Sequence, residues 1–225
     1  IVDNPCRQAG VMGRSNADLI VIPAHEAFDE SAEAEADLLR DRLRSAKAAG
    51  NLPRCYSEHP VVQAHPDEDV LPGAIFADGV AYANTDGVLG IWLVCLLTGR
   101  RHLLAAVRKR RLCNCGCRGW CSLYGMFVFL SWSLMALADK LPPSTRHDRR
   151  PWRALDLARS LRAGKEMTFR FACLYIKADW LELATSFGFP AHNDGIRPCF
   201  KCNCHDGNMH DTAAASAIGL PWREN

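Results

Sequence analysis

The chain has 225 residues, enough to bury a core and to form one domain with a small appendage. Hydrophobic residues make up 48% and charged residues 23%, which excludes a disordered tail or a fibrous repeat, and a net charge of +2 favours no class of partner by itself. The distribution is more telling: 99–118 is basic with no acid, and 29–41 is mostly acidic. A basic run can meet phosphate or simply face water. No run approaches the ~18 uninterrupted apolar residues that span a bilayer, and no signal or transit pattern is present, so no membrane is expected and the location is read as nuclear or cytoplasmic. The chain begins Ile1-Val2-Asp3, which reads as the edge of a fragment.

In chain order, 31–50 is predicted as a helix. Ser31 serves as N-cap, Glu33, Glu35 and Asp37 load the first turns, Arg42, Arg44 and Lys47 sit near the end, and Gly50 stops it. Leu38, Leu39 and Leu43 give this helix a narrow apolar stripe. The proline-rich stretch 51–72 has no periodicity and reads as an extended connector. Three strands follow: 74–83 (AIFADGVAYA), 87–98 (GVLGIWLVCLLT) and, after a Thr98-Gly99-Arg100 turn, 101–108 (RHLLAAVR). Such short connections form an antiparallel meander. Beyond a cysteine cluster, 124–140 is apolar nearly all round, as a core helix is, and Pro142-Pro143 ends it. A helix over 151–163 begins at a proline and stops at Gly164. A buried strand over 168–177 ends at Asp179, and 181–187 begins another helix.

This order gives two aspartates a possible chemistry. Strand, strand, strand, helices, strand, helix is the order of a ribonuclease-H-like α/β fold, a mixed sheet of three antiparallel strands plus a parallel fourth, flanked by helices. In such a sheet Asp78, at the end of the first strand, and Asp179, just past the fourth, would emerge at one edge a few ångströms apart. Two such carboxylates can bridge a pair of Mg²⁺ ions for phosphodiester cleavage. An aspartate before glycine also serves as an ordinary turn former, the role assigned to Asp86. Glu182 is expected on an exposed helix face.

The eleven cysteines point to metal before disulfides, because they are odd in number and closely spaced. Cys113, Cys115, Cys117 and Cys121 (CNCGCRGWC) offer four thiolates to Zn²⁺, with Gly116 and Gly119 easing the wrap. Alternate residues on an extended strand face opposite ways, so one ion need not collect all four. A second cluster, Cys199, Cys202, Cys204, His205 and His210, offers further ligands; one shared zinc and two separate zincs both fit. Arg108, Lys109, Arg110 and Arg111 run into the first cluster and, with Arg100 and Arg101, are the candidate DNA-backbone contacts. Trp132 and Trp152 are read as core or lid residues, and His147 as part of a polar loop.

Several stretches resemble repetitive, transposon-derived proteins of protist genomes: CYSEHPVVQAHPDEDVLP, DGVAYANTDGVLGIW, LLTGRRHL, RKRRLCNCGCRGWCS, RHDRRPW, YIKADW and FGFPAHNDGIRPCFKC. More distantly, the aspartates and the P-C-x-x-C that follows are similar to CACTA-type DDE transposases. The resemblance implies DNA strand transfer, with Asp78 and Asp179 matching the first two acidic positions. The family stretch has Lys-Gly-Asp-Trp where this chain has Lys177-Ala178-Asp179-Trp180, and no third carboxylate stands out before Asn225. The expectation is therefore a fragment, inactive as it stands, that binds DNA with Zn²⁺ in structural and Mg²⁺ in catalytic positions, and that can form a homo-oligomer. Its organisation reads as a helical segment over 1–55, a linker over 56–72, a core over 73–190 and a zinc knuckle over 191–225. The alternative is a zinc-stabilised DNA- or protein-binding module without catalysis.

Overall fold

The computed structural model describes residues 2–7, 14–84, 86–117 and 119–189. The chain divides into two compact units, Ile1–Lys177 and Ala178–Asn225.

The first unit opens with a hairpin where helix was expected. Strands β1 (Val2–Arg7) and β2 (Arg14–Leu19) pair antiparallel, from Val2 opposite Leu19 to Arg7 opposite Arg14. The helical region then starts earlier than its acidic cap suggests. Helix α1 covers Ala24–Ala34 and α2 covers Ala36–Ala48, with the break at Glu35. Ser31 lies inside α1 and donates to the Phe28 carbonyl (3.1 Å) instead of capping. Local charge pointed to the second helix, whereas Ala24, Phe28 and Ala32 define the first by what they bury. The predicted connector also contains structure, in the short helices α3 (Arg54–Ser57) and α4 (Pro60–Ala64). Tyr56 fixes α3 by burying its ring and donating to the Val70 carbonyl at 2.7 Å.

The meander forms as its apolar periodicity predicts. Strands β3 (Val70–Ala83), β4 (Asp86–Cys95) and β5 (Arg101–Arg108) pair antiparallel, and the fourth strand, β6 (Arg170–Ala178), adds to β3 to give the order β5-β4-β3-β6. The sheet is mixed, with one parallel pair. Because β3 and β4 keep continuous register from Gly73 to Ala81, Phe76 faces Trp92, Asp78 faces Gly90 and Val80 faces Val88. Directly opposed residues share a face, so Asp78 lies on the Phe76 and Trp92 side. Asp78 falls in the middle of β3 and not at its end, because the strand continues past it to Ala83, paired with β4.

Helix α5 (Trp120–Asp139) supplies much of the core through Leu123, Met126, Phe129, Leu130 and Leu137. By length and apolar composition it would suffice to cross a bilayer; in this fold its buried residues belong to the protein core. Phe171 of β6 meets Phe28 of α1 with ring centroids 4.8 Å apart. A side chain on Gly73 would run into the Phe171 ring at 1.8 Å, so the glycine lets that ring lie across the neighbouring strand. The helix predicted from Pro151 shrinks to a 3₁₀ turn (Ala154–Asp156) followed by α6 (Leu157–Arg162). Pro151 and Trp152 stay outside it, because the Trp152 indole N–H donates to the Pro143 carbonyl at 3.3 Å.

In the second unit, α7 (Trp180–Thr185) is capped by Asp179, whose Oδ1 accepts the Glu182 backbone N–H. Glu182 is buried, 2% exposed, and accepts a hydrogen bond from the Ser186 hydroxyl. This corrects the expected exposed role: a carboxylate one turn into a short helix finds its partner four residues on, and sequence periodicity alone did not show it.

Candidate metal centre

Cys113, Cys115, Cys117 and Cys121 converge, with their sulfurs all within 4.8 Å of one another. The concern that alternating cysteines would splay does not apply, because the segment is a wrapped turn and not a strand. Its backbone reverses at Gly116 (φ 93°) and Gly119 (φ 89°), in the left-handed region that glycine enters without a Cβ penalty. The Gly119 N–H donates to the Cys113 carbonyl and the Trp120 N–H to the Cys117 carbonyl, both at 3.0 Å, which closes the loop onto the start of α5. Ser122 ties the turn down: its hydroxyl accepts the Cys113 N–H at 2.8 Å and donates to the Pro5 carbonyl of β1.

The geometry and protonation suit a soft cation. Cys115 and Cys121 sulfurs lie 3.8 Å apart, about the edge of a tetrahedron with ~2.3 Å zinc–sulfur bonds. Burial pushes the Cys113 thiol up to about 12. Burial also acts to raise Cys117, but the Cys121 N–H and the neighbouring thiols donate to its sulfur and bring it down to about 6. Hydrogen bonding with Cys117 raises Cys121. The group thus gathers negative charge on one sulfur while its neighbours donate, an arrangement a cation can take over by displacing protons. These four cysteines could hold a metal such as zinc. Cys199, Cys202, Cys204 and His205, with His210, lie outside the described residues.

The basic residues beside the turn are largely occupied. The Asp86 side chain is 3% exposed and sits at the centre of a cation cluster. Its Oδ2 accepts from Arg108 at 3.0 and 2.7 Å and lies 3.1 Å from Arg110 Nε, and its Oδ1 accepts the Arg110 and Gly87 N–H groups. Asp86 therefore does more than form a turn: it pins the end of β5, and the 3₁₀ turn Lys109–Arg111 after it, to the start of β4. Arg100 pairs with Glu35 at 2.5 Å, and Arg101 lies over the Phe76 ring at 5.4 Å. Arg111 is exposed and Lys109 half-exposed.

The two predicted acidic residues are placed differently. Asp78 is half-buried on β3, its side chain making no hydrogen bond or ion pair among the described residues. Asp179 follows β6 and spends Oδ1 on its capping bond.

No family model matches the chain, and no curated protein or solved structure is significantly similar to it. The fold and site define a class: an α/β protein whose mixed four-stranded sheet is flanked by helices and carries a four-cysteine cluster fit for a metal ion.

Proposed function

We propose that this chain is the core of a DDE-type strand-transfer protein acting on DNA, with Asp78 and Asp179 as carboxylate ligands for Mg²⁺ and the cysteine turn held by Zn²⁺. One observation carries the reading: three antiparallel strands are followed, after intervening helices, by a fourth that adds beside the first, the strand order of a ribonuclease-H-like sheet. Donor chemistry supports it. Asp78 offers a carboxylate with no protein partner among the described residues, and the Asp179 capping bond leaves Oδ2 for a hard cation. Divalent ions, when bound, supply charge stabilisation and an activated water. The protein's part is to hold the carboxylates and, through its arginines, the DNA backbone.

Affinity cleavage tests this without requiring turnover. Fe²⁺ with ascorbate and peroxide, added to the zinc-loaded full chain, should cut the backbone near residues 78 and 179. Excess Mg²⁺ should protect both positions, and Asp78→Asn should abolish both cuts. Cuts confined to other regions, or indifferent to Asp78→Asn, would sink the Mg²⁺ reading. A second reading, a zinc-stabilised binding module without chemistry, is favoured by the ordinary capping duty of Asp179 and would be left standing by that result.

A further inference from the structure

The loop 146–153 reads Arg-His-Asp-Arg-Arg-Pro-Trp-Arg, and its acid ion-pairs with one arginine where Asp86 ion-pairs with two at 108–111. Its aspartate, Asp148, pairs with Arg146 at 3.1 Å and accepts the Arg150 N–H at 3.2 Å. Arg149, Arg150 and Arg153 are exposed and have no ion pair among the described residues. The loop is nonetheless well defined: the Arg146 N–H donates to the Arg150 carbonyl and the Arg149 N–H to the Arg146 carbonyl, both at 2.9 Å. Arg149 holds φ 62°, a left-handed conformation uncommon for a residue with a side chain.

A cavity of about 280 Å³ lies against this loop, walled by Phe129, Trp132, His147 and Trp152 and bordered by Arg146 and Arg153. That volume is near the lower end for small-ligand pockets. The Trp132 indole N–H donates to the Thr145 carbonyl at 3.2 Å and the Trp152 N–H to the Pro143 carbonyl. With their polar tips engaged by the backbone, both indoles have only ring surface to offer a ligand. The two rings meet edge-on (6.1 Å, 62°), so they form a corner and not a slot.

We propose that this loop and cavity bind single-stranded nucleic acid, the arginines holding successive phosphates and the aromatic corner receiving one unstacked base. Unpaired cations beside aromatic faces are the combination that tracks a sugar-phosphate backbone while stacking bases without sequence preference. An acidic peptide would use the arginines, but only a nucleic acid brings a planar ring with every charge. A duplex keeps its bases stacked and paired inside. The site uses neither Asp78 nor Asp179, so it stands apart from the strand-transfer reading.

The test is fluorescence anisotropy of a short labelled oligothymidylate with the full zinc-loaded chain over a range of salt concentrations, alongside a hairpin duplex and with tryptophan quenching recorded. The single strand should bind more tightly than the duplex and quench tryptophan emission. The exposed triple variant R149A/R150A/R153A should lose at least about tenfold in affinity and shed about two from the log–log salt slope, at ~0.7 per phosphate contact on a single strand. K109A/R111A should lose far less. The proposal is overturned if the parent does not bind, if it prefers the duplex, if the triple variant keeps its affinity and slope, or if the whole loss falls on K109A/R111A instead.

Discussion

The segment 108–111 and the loop 146–153 are both rich in arginine, yet the fold uses them in opposite ways. In the first, Arg108 and Arg110 converge on the nearly inaccessible Asp86. In the second, the aspartate serves Arg146 and leaves exposed arginines beside an aromatic cavity. Both look alike as strings of cations. What separates them is where a carboxylate stands in space: a guanidinium tied to a buried acid braces a hairpin, and one without such a partner keeps its charge for a ligand.

The comparison breaks most completely if the cysteine turn following the braced segment is dismantled. Structural zinc sites contribute roughly 10 kcal/mol or more in small zinc-dependent peptides, and about 2–4 °C of melting temperature accompanies each kcal/mol in a chain of this size. Stripping zinc with a strong chelator should therefore lower the melting temperature by about 10 °C or more. Equal melting curves with and without chelator would remove the metal from the account of stability.

The other region should respond to acid. His25 of α1 is 4% exposed, accepts or donates a 2.7 Å hydrogen bond at Nδ1 with Ser133, and stands edge-on to Trp132 at 5.2 Å. Burial first, with Arg159 and Arg162 nearby, lowers its pKa from 6.5 to about 4 against the opposing pull of Glu26 and Asp29. Unfolded His25 gains a proton below about 6.5 while the folded ring stays neutral until about 4. Stability should therefore be complete at neutral pH and decline as pH falls through that window, by at most roughly 3 kcal/mol. His25→Gln should flatten this part of the pH–stability curve; an unchanged slope would assign the acid sensitivity elsewhere.

The smallest effect sharpens the contrast itself. Asp86→Ala removes the acid shared by Arg108 and Arg110 and should cost about 1–3 kcal/mol in denaturant melts. It should also make 108–111 behave more like the second loop, with DNA binding becoming stronger and steeper in salt. Destabilisation with no change in salt dependence would show that the freed guanidiniums do not reach phosphate.

Much of the frame was legible beforehand because it depends on short-range pattern. The apolar runs before and after Thr98-Gly99 define β4 and β5 within a few residues, Gly164 stops a helix at φ 72°, and the spacing of Cys113, Cys115, Cys117 and Cys121 marks a thiol cluster that could hold a metal. Where the reading failed, a distant contact had overruled a local signal. Ser31 looked like a cap until Phe28 and Ala24 proved to be buried upstream of it, and Pro151 looked like a helix start until Trp152 was held by the Pro143 carbonyl.

The sequence by itself determined the four strands of the larger sheet, the turn between β4 and β5 and the thiol-rich loop, since hydrophobic period, glycine conformation and ligand spacing act over a few residues. Only the tertiary structure decided which charges remain available. Asp86 meets Arg108 and Arg110 across 22 and 24 residues of chain, through the register of β4 on β5, and Glu182 is buried by its packing. Electrostatic pairing depends on distance in space and on exclusion of water, and neither is written in the order of the residues.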